Sequence, residues 1–123
     1  MATTEFEAWL EAQFAETGAF TIFIVLVHIN DGHVEARKST FAQMIGDDMS
    51  WAEMMALLAG ARTDWDGVGF FIGLAENGAP MSDDEARSKL REIEAEVMAD
   101  PLALNRGRFF DRQGRRLQVE EAA

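Results

Sequence analysis

Residues 20–34 read Phe20-Thr21-Ile22-Phe23-Ile24-Val25-Leu26-Val27-His28-Ile29-Asn30-Asp31-Gly32-His33-Val34, and the fold turns on this stretch. The first ten residues are dense in β-branched and aromatic side chains with no polar alternation, which suits a strand covered on both faces. Asp31-Gly32 supplies the chemistry of a two-residue hairpin turn. The stretch therefore predicts a central strand folding back onto Val34–Thr40, antiparallel, with Ile29 opposite Val34 and His28 opposite Glu35. The apolar run Ala19–Ile29 is 11 residues long, well short of the roughly 20 that a membrane-spanning helix needs, so no membrane partner is expected.

Helix signals lie on either side. Thr4 with Glu7, Ser50 with Glu53 and Ser82 with Glu85 each fit a capping box. The first opens a helix carrying Phe6, Trp9, Leu10 and Phe14 and ending near Gly18. The second carries Trp51, Met54, Met55 and Leu58 to Gly60. The third carries Ala86, Leu90, Ile93 and Val97 to Asp100-Pro101. Between them Val68–Ala75 reads as a strand, and Arg108–Val119 as a small hairpin turning at Gln113-Gly114. Residues 41–49 have no clear period and are left unassigned.

These elements predict an α+β fold, a mainly antiparallel sheet of 4–5 strands with three helices packed on it, as a single domain over 1–123. With 48% hydrophobic residues, three Trp and nine Phe, the chain is too apolar for an acidic disordered tail. The absence of cysteine removes disulfides, thiolate metal sites and a thiol nucleophile. An acidic start, with no basic targeting pattern, leads to a cytoplasmic expectation. No cofactor is expected.

The net charge of −11 is unevenly spread. Residues 105–116 carry Arg106, Arg108, Arg112, Arg115 and Arg116 against Asp111, a net of +4 that leaves −15 on the rest. Arg forks beside Phe109 and Phe110 suit phosphate and bases. The acidic body opposes a polyanion at long range, so the chain reads against nucleic-acid binding and in favour of pairing within the molecule or between subunits.

Three functional readings follow. The first is a regulatory, accessory or assembly module acting through protein contacts and self-associating, with Trp51, Met54, Met55, Phe71, Arg108, Arg112, Arg115 and Arg116 as interaction residues. The Met- and Trp-rich second helix has apolar area to spare after packing on the sheet, and no nucleophile motif argues for an enzyme. The second is a small-molecule binding protein or acid–base enzyme with a pocket near His28, His33, Glu35, Asp64 and Asp66, since a carboxylate facing an imidazole fixes its tautomer. Their odd spacing is expected to put His28 and His33 on different faces, and no metal site is expected, although Asp64 and Asp66 are the carboxylates that could join one. The third is an acidic inhibitor of a basic protein partner. Gly67, Gly69 and Gly73 lack the spacing of a phosphate loop. Alternation puts Gly69, Phe71, Gly73 and Ala75 on one face, where small residues allow close approach of a packed helix, which layer packing favours, or of a neighbouring subunit or a ligand.

Overall fold

The computed structural model describes residues 4–120. Met1–Thr3, part of the acidic start considered above, lie outside the described residues. The chain runs α1 (Glu5–Thr17), β1 (Phe20–Asn30), β2 (His33–Met44), α2 (Trp51–Ala59), β3 (Gly67–Gly73), α3 (Asp83–Ala99), a 3₁₀ helix (Pro101–Arg106), β4 (Arg108–Asp111) and β5 (Arg116–Leu117). One five-stranded sheet has the order β2-β1-β3-β4-β5 with every pair antiparallel. The fold is α+β.

β1 is central enough to be buried from Phe20 to Val27, and the pleat sends its residues to two cores. Phe20, Ile22, Ile24 and Leu26 face α1 and α2, where they meet Phe6, Leu10, Trp51 and Met54 together with Phe70 and Phe110. Phe23, Val25 and Val27 face α3 and the 3₁₀ helix, meeting Ile93, Val97, Leu104 and Phe109. Helices on both faces explain why the strand has no polar alternation. Among the described residues no helix is long and apolar enough to cross a membrane.

All three capping boxes form, each Thr or Ser side chain accepting from the backbone N–H three residues on while the Glu reaches back. The hairpin turns at Asp31 (φ 50°) and Gly32 (φ 78°), the positive pair that a type I′ turn requires. His28 lies opposite Glu35 and Ile29 opposite Val34, as the sequence predicts.

Four features differ from the sequence reading. β2 continues into the unassigned segment as far as Met44, because β1 offers it a full-length partner. Leu26 pairs with Lys38 and Val27 with Ala36, leaving Arg37 as the extra residue of a bulge that no composition signal marks. β3 ends at Gly73 rather than Ala75, where the Ala75 N–H turns to the Ala79 carbonyl. A 3₁₀ helix begins at Pro101, capped by the Asp100 side chain accepting from the Leu102 N–H.

The small-residue face of β3 is filled from within the chain. A Cβ on Gly69 would lie 2.7 Å from Leu104 Cδ2, and one on Gly73 would lie 2.7 Å from Phe23 Cε2, so the glycines admit these side chains.

Candidate functional sites

The first candidate is a polar pair near the hairpin end. The Asp66 backbone N–H donates to the Val27 carbonyl at 2.8 Å, which anchors the loop before β3 against β1. From there Asp66 Oδ2 accepts the Ile29 N–H at 2.8 Å and lies 2.8 Å from His28 Nδ1. A carboxylate beside Nδ1 favours the neutral tautomer that carries its proton there, with Nε2 as the acceptor. Both side chains are partly exposed, at 34% for His28 and 46% for Asp66. The sequence reading places Glu35 as the carboxylate partner of His28. Glu35 instead lies 3.9 Å from Arg37, and the loop residue Asp66 takes its place.

The remaining members of that set do not join. His33 and Asp64 are exposed, and neither makes a side-chain hydrogen bond or ion pair among the described residues. His33 pairs with Asn30, so cross-strand register puts it on the same side of the hairpin as His28, which corrects the expectation of different faces. Parity must be counted through the turn rather than along the chain. No three His, Asp or Glu side chains among the described residues form a metal-binding group.

The proposed interaction residues divide sharply. Trp51 is 7% exposed and Met54 0%, so neither offers a surface. Trp51 packs on Phe6 at 5.1 Å and donates Nε1–H to the Arg112 carbonyl at 2.8 Å. The apolar stripe of α2 is consumed by the sheet and the C-terminal hairpin, which correct its reading as a contact surface. Met55 and Phe71 remain partly buried. The large apolar side chains left exposed are Ile45, Leu57, Ile72 and Met98. Leu57 and Met98 fall just off the buried stripes of α2 and α3, and that helical phase is the signal by which they could have been found.

The arginines of the tail mostly engage the chain itself. Arg115 binds Asp111 at 2.8 Å, Arg106 approaches Glu96 at 3.5 Å, and Arg112 donates Nη1–H to the Trp65 carbonyl while lying 4.8 Å from the Trp65 ring. Burial pushes the Asp111 carboxyl up, but the backbone and side-chain N–H groups of Arg115 and the Gln113 N–H outweigh it and hold it below the ordinary value. The acidic face of α1 contributes through one contact, Glu5 accepting the Arg116 backbone N–H at 2.7 Å. Arg108 and Arg116 form no side-chain ion pair among the described residues.

Three of the grooves among the described residues lie between the sheet and its α-helices. One of about 440 Å³ runs between β2 and α3, lined by Val34, Arg37, Glu94, Val97 and Met98. Another of about 340 Å³ runs between β2 and α2, lined by Ile24, Thr40, Ala42, Leu57 and Leu58. A third of about 310 Å³ opens where β4 begins beside β3, with Trp9, Phe71, Lys89, Arg106 and Arg108 in its walls. None of these includes His28 or Asp66.

The fold and these surfaces define an α+β chain with a doubly covered antiparallel sheet, one long edge strand, and no enclosed polar cavity among the grooves described. No protein-family model, curated protein or solved structure matches the chain.

Proposed function

We propose that the chain is a protein-interaction module that self-associates through the edge strand β2. The observation that carries this reading is the β2 edge itself. It is twelve residues long, has β1 on one side only, and is bordered by a groove on each face. Leu57 (51% exposed) lines one groove and Met98 (80%) the other. A strand added to an exposed edge gains backbone hydrogen bonds, while pockets on the two faces take its alternate side chains.

The sequence of β2 favours a second copy as the added strand. Antiparallel pairing about Ala36 sets Glu35 of each copy opposite Arg37 of the other, giving two symmetry-related charge pairs. The bulge and the charges at Glu35, Arg37 and Lys38 discourage an arbitrary strand, so the same groups give selectivity.

Sedimentation at about 100 μM, where even a modest interface is populated, is expected to give a dimer. Leu57→Glu with Met98→Glu is expected to give a folded monomer, since both side chains are already in water. Glu35→Arg weakens the dimer and Glu35→Arg with Arg37→Glu restores it. A wild-type monomer at that concentration, or a dimer indifferent to all of these changes, refutes the reading.

A second reading is favoured by the 2.8 Å contact of His28 Nδ1 with Asp66. An imidazole held by a carboxylate, with Nε2 free, is the arrangement of a general base. Loss of a measured activity in both His28→Gln and Asp66→Asn, with unchanged thermal unfolding in the first, is the outcome that would support it over the interaction reading.

A further inference from the structure

We propose that the third groove is a binding site for a small amphipathic organic anion, an aromatic or apolar body ending in a carboxylate or phosphate. The inference is independent of the β2 dimer, which uses the opposite edge of the sheet. β4 pairs with β3 only from Gly67 to Phe70, so the outer edge of β3 from Phe71 to Gly73 has no strand beside it. Gly107, just before β4, approaches Phe70 so closely that a Cβ there would lie 2.2 Å from the Phe70 carbonyl oxygen. The groove opens in the gap this leaves, between α1 on one side and α3 with the 3₁₀ helix on the other.

Its walls have two chemistries. On the α1 side Trp9 lies stacked on Phe70 at an interplanar angle of 14° and Ile72 is 38% exposed, while Phe71 adds an aromatic ring on the α3 side. The same groove is lined by Lys89, Arg106 and Arg108, opposed within it by Glu96 alone. Glu96 approaches Arg106 at 3.5 Å and Glu92 approaches Lys89 at 3.6 Å, both too long for strong pairing, while Arg108 forms no ion pair among the described residues. A cationic cluster in a chain of net charge −11 is a local reversal of sign. At physiological salt, screening over about 8 Å lets it act on a small anion despite the acidic body, whereas a long polyanion would reach the repulsive surface. A volume of about 310 Å³ matches the lower end of small-molecule pockets.

The test uses the whole chain, 3-phenylpropionate and phenyl phosphate as probes, and 3-phenylpropanol and inorganic phosphate as controls, followed by ¹H–¹⁵N NMR. Saturable shifts are expected at the Trp9 indole and the Gly107 amide with both organic anions. Binding of the neutral alcohol and of phosphate alone should be at least about tenfold weaker, the equivalent of losing one favourable contact of about 1.4 kcal/mol. Arg108→Gln and Lys89→Gln should each weaken the organic anions about three- to tenfold, with unfolding curves checking that each variant remains folded. The proposal is overturned if neither anion gives a saturable shift, if the alcohol binds as well as the anions, or if folded Arg108→Gln and Lys89→Gln bind undiminished.

Discussion

Glu7→Ala is expected to loosen two helices at once. Oε1 of Glu7 accepts the Thr4 N–H at 3.1 Å to complete the capping box of α1, and Oε2 accepts the Trp51 N–H at 2.7 Å. Trp51 opens α2, whose own capping box satisfies Ser50 and Glu53 and leaves the Trp51 N–H to be met from elsewhere. Hydrogen bonds to a charged acceptor contribute about 1.5–3 kcal/mol when desolvated, and Glu7 is only half-buried, so about 1 kcal/mol each is appropriate here. The loss is then about 2 kcal/mol, or roughly 6–10 °C in Tm for a chain of this length. Glu7→Gln, which keeps one acceptor, should lose about half as much. Hydrogen bonds from the Trp51 backbone, and then from Thr4, hold the Glu7 carboxyl below its ordinary value of 4.5. Its contribution is therefore complete above that value and is lost as pH falls through the lower folded pKa. Urea unfolding of wild type and Glu7→Ala should differ fully at neutral pH, with the gap closing in acid. A neutral-pH difference under about 0.5 kcal/mol, or one that persists undiminished at about pH 3, would refute the reasoning.

Gly107→Ala puts a Cβ 2.2 Å from the Phe70 oxygen, a backbone clash that no rotamer relieves, and should cost more than about 3 kcal/mol or prevent folding in a chemical denaturation assay. Thr21→Val removes the hydroxyl that donates to Gln43 Oε1 at 2.7 Å and accepts the Met81 N–H at 2.8 Å, and should cost about 1–3 kcal/mol despite near-equal volume. Trp51→Phe leaves the Arg112 carbonyl without its 2.8 Å donor and shrinks a buried ring, with an expected loss of about 1–3 kcal/mol by thermal unfolding. In Asp66→Ala the Nδ1–H tautomer of neutral His28 should give way to a mixture in long-range ¹H–¹⁵N spectra, and an unchanged tautomer would show that Asp66 does not fix it.

The candidate site was legible only where chemistry and register coincide. His28 could be singled out because it ends an apolar strand beside a recognisable turn, and its cross-strand neighbour Glu35 follows from that turn. Its actual partner, Asp66, is separated by 38 positions and reaches it because the Asp66 N–H caps the Val27 carbonyl. Trp51 and Met54 illustrate the converse. Their stripe marks a buried helix face correctly, but whether that face meets the chain's own sheet or a partner depends on how much of the sheet is left to cover.

By itself the sequence determined the local structure. Three capping boxes set the helix starts, Asp31-Gly32 set the hairpin register, and the unbroken apolar run made β1 a strand buried on both sides. These are interactions among residues close along the chain, or properties of one segment's pattern. Tertiary structure alone decided the strand order, the bulge at Arg37, the 2.8 Å pairing of His28 with Asp66, and the basic groove left where β4 covers only part of β3. Each depends on which distant segments compete for the same face of the sheet, and packing settles that competition only when the whole core is assembled.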